Sequence, residues 1–179
     1  MGKGLPRSLQ RGYAAANLGS GAVTQETVAV DLTVDVSATG ANKGFAGVAI
    51  PGLTLAEGNI LLLGTVATLS FESLDANAID AWQGDFALGT VATVDADTAD
   101  DGEDDVLDLQ ALAATGGTEA TTKYDYVPLE ANSLIDLTAG SASVNLNILL
   151  DAASITDDTT AQIRVVGSIS VAYTVLGDH

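Results

Sequence analysis

The 179-residue chain has no cysteine, three prolines, one tryptophan and one histidine. Without cysteine there are no disulfides, thiolate metal sites or sulfur nucleophiles, so packing alone must hold the fold together. The one histidine, His179, is the last residue, which leaves the body no imidazole for a Ser-His-Asp or Cys-His arrangement. Glycine-rich phosphate loops and His-based metal motifs are absent as well. A carboxylate pair for glycoside hydrolysis is compositionally available among 24 acids, but sugar sites lean on aromatic side chains, and only 4% of residues are aromatic. The expectation is a protein that binds or builds and is not an enzyme. Basic residues are scarce, six against 24 acids for a formal charge of -18, and such a surface repels nucleic acid and anionic membranes. An acidic, lysine-poor surface also suits high salt, where screening removes self-repulsion. No apolar stretch approaches the roughly 20 residues of a membrane span, and the basic start of the chain is not followed by an apolar signal-type run.

What the chain does contain is 47% hydrophobic residues and 19 glycines. The hydrophobic residues are chiefly Val, Leu, Ile and Ala, and they alternate with Thr, Ser and Asp. Branched side chains suit a pleated surface and glycine suits turns. From Val28 to Val36 the alternation is unbroken, with Val28, Val30, Leu32, Val34 and Val36 on one face. After a glycine-rich loop at 40–47 and a short apolar run to Ile50, Pro51-Gly52 reads as a turn. A strand over Ile60–Phe71 slips phase near Gly64, as at a bulge. Val144, Leu146, Ile148 and Leu150 alternate with Ser143, Asn145, Asn147 and Leu149. A long final strand runs from Gln162 to Leu176, with a phase break expected at Val165-Val166-Gly167. The heptapeptides LGTVATL (63–69) and LGTVATV (88–94) would mark two strands in equivalent settings, or convergence in a chain rich in these residues. Leu74–Trp82 could form a short helix, and Trp82 reads as a core plug. Seven to nine strands in one domain predict an all-β, two-sheet sandwich, jelly-roll-like, with one short helical insertion allowed; a closed up-and-down barrel would show the same alternation.

Charge divides the chain in two. Residues 1–21 carry Lys3, Arg7 and Arg11 and no acid, a formal +3, whereas residues 22–179 carry three basic residues and all 24 acids, a formal -21. The first segment also has five glycines and isolated apolar points at Leu5, Leu9, Tyr13 and Leu18. This is the composition of an extended arm, 1–21, ahead of a sandwich domain, 22–179.

The densest acidic stretch, Asp95–Asp108, offers hard oxygen ligands. On the spacing of a helix-loop-helix Ca²⁺ site, Asp97, Asp101, Glu103, Asp105 and Asp108 are the candidate ligands, with Gly102 at the sharp turn. The fit is partial, since Ala99 stands where a third early ligand belongs and Asp108 stands where a bidentate Glu is usual. A solvated acidic loop is the competing reading. Immediately after it, Val106, Leu109, Leu112 and Ala113 are spaced for a helix over 103–114, while Val106-Leu107-Asp108-Leu109 reads equally as a short strand.

The arm MGKGLPRSLQRGY, the alternating strands and the long end strand IRVVGSISVAYTVLGDH resemble, in organisation, the decoration or cement proteins on capsids of tailed bacterial and archaeal viruses. The resemblance implies a structural virion protein on the outer capsid surface, a homo-oligomer with a trimer favoured, bound to the major capsid protein. It implies that Lys3, Arg7 and Arg11 steer onto acidic capsid patches while Leu5, Leu9 and Tyr13 fill grooves. Two alternatives stay open: an extracellular surface-layer, fibre or adhesin subunit, and a Ca²⁺-dependent carbohydrate-binding module using the Asp95–Asp108 stretch.

Overall fold

The structure, a computed structural model, describes residues 22–37, 43–74, 79, 82–93, 102–112, 119–124, 134–156 and 161–176, with side chains excepted at 119–124. These residues form nine strands: β1 (Val23–Val36), β2 (Phe45–Leu55), β3 (Gly58–Ser73), β4 (Gly84–Gly89), β5 (Leu107–Ala111), β6 (Glu119–Tyr124), β7 (Leu134–Leu137), β8 (Ala142–Leu150) and β9 (Ala161–Val175). They make two antiparallel sheets packed as a sandwich. One is five-stranded in the order β1-β9-β3-β6, with β7 also on β3; the other is four-stranded, β2-β8-β4-β5.

The pairings nest. With β7 set aside, the first strand pairs with the last, β2 with β8, β3 with β6, and β4 with β5. Further pairing of β9 on β3 and of β8 on β4 closes the two sheets. The chain is therefore one long antiparallel ribbon folded across itself, with its middle, β4-β5, farthest along the wrap.

The core lies between the sheets and is built as the alternation requires. Val30, Val34 and Val36 face inward from β1, and Ile163, Val165, Ile169, Val171 and Tyr173 face inward from β9. Each such aliphatic side chain stabilises by about 1.5–3 kcal/mol when fully buried. The scarce aromatics sit together. Phe71 stacks at a tilt on Trp82 and Phe86, with ring centroids 6.3 and 5.2 Å away, and Trp82 is fully buried as a core plug.

Several local expectations are corrected. Pro51-Gly52 does not end a strand. It lies within β2, where four residues between Ala49 and Thr54 stand opposite one residue of β8. Pro51 has no N–H to give a ladder, and Gly52 supplies a φ of 80°, so the pair forms a bulge at the edge of the sheet. The slip near Gly64 is present as an extra residue between Leu62 and Gly64 opposite β9. The break at Val165-Val166-Gly167 is not, because β9 keeps continuous register with β1 over residues 161–174. Gly167 simply holds an inward position where a Cβ would collide with the Thr68 carbonyl. Of the two readings left open after the acidic stretch, the short strand holds: residues 107–111 are β5, hydrogen-bonded to β4. Of the proposed helix over Leu74–Trp82, most lies outside the described residues, while Ile79 bridges to Ile155 as extended chain. The two heptapeptides are not equivalent. Residues 63–69 lie wholly inside β3, whereas 88–94 leave β4 at Gly89 and enter a loop, and Val94 lies outside the described residues.

Candidate functional site

Two surfaces merit attention, one on the outer side of each sheet. The first is where the acidic stretch attaches. Strand β8 alternates as expected, but its second face is not solvated: Asn145 and Asn147 are buried too. What covers them is the chain on either side of the acidic segment, residues 90–93 and 102–106. Asn147 is fully buried and is the hub. Its amide donates to the carbonyls of Val91 (2.9 Å) and Glu103 (2.6 Å), and its Oδ1 accepts from the Thr93 N–H (2.9 Å). Asn145 donates to the Gly89 carbonyl at 3.3 Å.

Close approach does the rest. A Cβ on Gly47 would strike the Thr93 backbone, and one on Gly89 would strike the carbonyls of Gly102 and Glu103. These two positions let the covering chain lie directly on the sheet. The two halves also hold each other. Val91 N–H donates to the Gly102 carbonyl at 2.7 Å, and Thr90 donates to Asp105 twice, from N–H to Oδ1 (2.8 Å) and from Oγ1 to Oδ2 (2.6 Å). Beneath them, Thr65 of β3 donates across the sandwich to the Val106 carbonyl at 2.8 Å. We call this arrangement the clasp.

Its carboxylates are crowded. Burial pushes the Asp105 carboxyl up, against the two Thr90 hydrogen bonds that pull it down. Burial first, then repulsion from Asp108, Asp105 and Glu103, pushes Asp104 up. Of the five candidate Ca²⁺ ligands, Asp97 and Asp101 lie outside the described residues. Glu103 is buried in the clasp and offers its carbonyl to Asn147, Asp105 is committed to Thr90, and Asp108 is exposed on β5. Among the described residues, no three His, Cys, Asp or Glu side chains converge so as to hold a metal. What the clasp does is fix residues 90–93 and 102–106, on either side of the acidic segment, against β8 and each other.

The second surface is the outer face of the five-stranded sheet. Register places side chains there in rungs: Val23, Thr174, Leu61 and Leu134; then Gln25, Ala172 and Gly64; Thr27, Ser170 and Val66; Ala29, Ser168 and Thr68; Asp31, Val166 and Ser70; Thr33, Arg164 and Glu72. Hydroxyls bond along it, Thr27 Oγ1 with Ser170 Oγ at 2.9 Å and Gln25 Nε2 with the same oxygen at 3.1 Å. At one end Arg164 clamps Asp31 with two bonds of 3.0 Å. That bond and charge hold the Asp31 carboxyl below its usual range.

The arm residues Lys3, Leu5, Arg7, Leu9, Arg11 and Tyr13 lie outside the described residues, which begin at Ala22, next to Val23 on this second surface. Sequence reasoning missed the clasp, because Asn145 and Asn147 occupy the positions of a solvent face. Two asparagines followed by Leu149 in one strand were the available signal. Among the described residues no helix is long and apolar enough to cross a membrane. The chain matches no family model, no curated protein and no solved structure.

Proposed function

We propose that this chain is a structural virion subunit of the capsid-decoration kind. In this reading its basic arm, residues 1–21, grips the major capsid lattice while the acidic sandwich stands in solvent. The observation that carries the reading is the division of charge, +3 over residues 1–21 against -21 over residues 22–179. A tether that differs so sharply from its own body is suited to a surface other than that body. Leu5, Leu9 and Tyr13 supply the apolar anchors and most of the binding energy, because exposed ion pairs contribute little. Lys3, Arg7 and Arg11 speed encounter with acidic patches.

The fold supports the same reading. We read the two sheets with nested pairings as jelly-roll-like, an architecture used in capsid and lectin domains. In this reading the net -21 of residues 22–179 keeps particles apart.

The test uses the full chain and the triple variant Lys3→Gln, Arg7→Gln, Arg11→Gln, each mixed with shells of the encoding virus stripped of this subunit. Co-sedimentation should show full occupancy for the native chain, falling with added salt, and a loss of about tenfold or more in affinity for the variant. Equal occupancy for the two proteins would end the arm-docking reading.

A further inference from the structure

We infer that the outer face of the five-stranded sheet is a self-association surface, on which a second copy of this chain packs face to face about a two-fold axis. The inference does not need the arm or the capsid reading to hold.

The first ground is where the charge is not. The body bears a formal -21, yet the four successive rungs from Val23 to Ala29, on β1, β9 and β3, hold no ionisable side chain. Two copies of so acidic a protein repel unless they meet where carboxylates are missing, and this face is such a place. The second ground is what the face exposes. Val66 is 42% exposed and Val23 62% at the centre and one end of the charge-free region, with Leu134 exposed at the far side of the Val23 rung and Leu176 exposed just past Thr174.

Shape agrees. Side chains in the middle rungs are small, Ala29, Ser168, Ser170, Thr27 and Thr68, so two such faces can approach to the usual sheet-on-sheet spacing of about 10 Å. Four rungs by three strands cover roughly 27 by 14 Å, or about 400 Å² per copy and about 800 Å² for the pair before the edges are added. That is the low end for a specific contact, so the dimer should be reversible and concentration-dependent. An axis parallel to the strands sets the Val23 rung of one copy against the same rung of the other, apolar on apolar. It also brings both amino-terminal segments out at the same end of the pair, which would give the arms a multivalent grip. An isologous face yields a two-fold pair where the family resemblance implies a trimer.

The experiment is sedimentation velocity of the full chain from about 10 to 500 μM, in about 0.1 and 1 M NaCl. The native protein should pass from monomer to dimer within that range, at a several-fold lower concentration in high salt, because screening removes the repulsion between acidic bodies. Val66→Asp and Ser168→Asp each put a charge into the contact at an exposed position and should raise the midpoint by about tenfold or more. Thr68→Lys is a third such insertion, for use should either aspartate lower the melting temperature. Val91→Asp, exposed on the clasp, and the arm variant Lys3→Gln, Arg7→Gln, Arg11→Gln should leave the midpoint unchanged. A native chain monomeric throughout, a dimer surviving all the face variants, or a dimer lost in the arm variant would each overturn the inference. Loss of shell occupancy in the arm variant with self-association intact would separate the two proposals.

Discussion

The four-stranded sheet is covered on both sides, by the core within and by its own clasp without, whereas the five-stranded sheet is covered only within among the described residues. The difference follows from side-chain choice at equivalent positions. On β8, outward Asn145 and Asn147 carry donors and acceptors that lock onto backbone groups of a crossing chain, and Gly47 and Gly89 clear the space for it. On β9, outward Ser170 is bonded by Gln25 and Thr27 of the neighbouring strand, and Ala172 carries no side-chain donor or acceptor for a crossing loop. One face is therefore finished within the chain and the other is finished, on our reading, by a second copy.

The comparison can be broken most severely at its hub. Asn147→Leu leaves the Thr93 N–H and the carbonyls of Val91 and Glu103 unpaired under the clasp. It should destabilise by about 3 kcal/mol in urea unfolding, with amide exchange accelerated at Thr93 more than on β1. A smaller cut is Thr90→Val, which removes one of two bonds to the Asp105 carboxylate. A loss of about 1–2 kcal/mol is expected, and no loss would mean that the Thr90–Asp105 link contributes nothing to holding the clasp.

Acidity should move the two regions in opposite directions. Asp104 and Asp105 in the clasp have folded values above the ordinary 3.8. Their contribution to folded-state stability therefore grows as pH falls toward 3.8, and it is lost as pH rises through the raised values. Asp31 on the bare face, and Asp136 beside it with two bonds from Thr138, have folded values below 3.8. Their contribution is present above 3.8 and disappears as pH falls through the lowered values. Protection factors, with the intrinsic pH dependence of amide exchange removed, should thus rise at Thr90 and Val91 from pH 7 to 4.5 while those of β1 stay constant, and an equal rise everywhere would contradict the assignment. The smallest effect belongs to Arg164→Gln. Its partnership with Asp31 is exposed on both sides, and the unfolding midpoint should not shift measurably in 0.5 M salt.

Much of the fold was legible because strands announce themselves by period two. The inward set of β1 from Val30 to Val36, the long β9 and the slip at Gly64 all follow from where branched residues fall. Pro51-Gly52 has the composition of a turn, yet it is a bulge that β2 carries within its run along β8. For the stretch after the acidic residues the sequence left helix and strand open, and hydrogen bonds offered by β4 decided for the strand. The acidic stretch was legible as acidic. That its flanks fold back onto β8 was not legible, because asparagine in a strand reads as exposed until something is known to cross above it.

By itself, then, the sequence determined the class of fold, the aliphatic core, the absence of cysteine and of any histidine before His179, and the opposition of a basic first segment to an acidic remainder, since composition and period are properties of single segments. Only the tertiary structure decided which segments lie side by side. It placed Thr90 on Asp105, brought β9 between β1 and β3 so that their uncharged residues form one continuous face, and buried Asn147 at the centre of a polar cover. Such contacts join residues as far apart as 23 and 174, and no local pattern encodes a pairing across that distance.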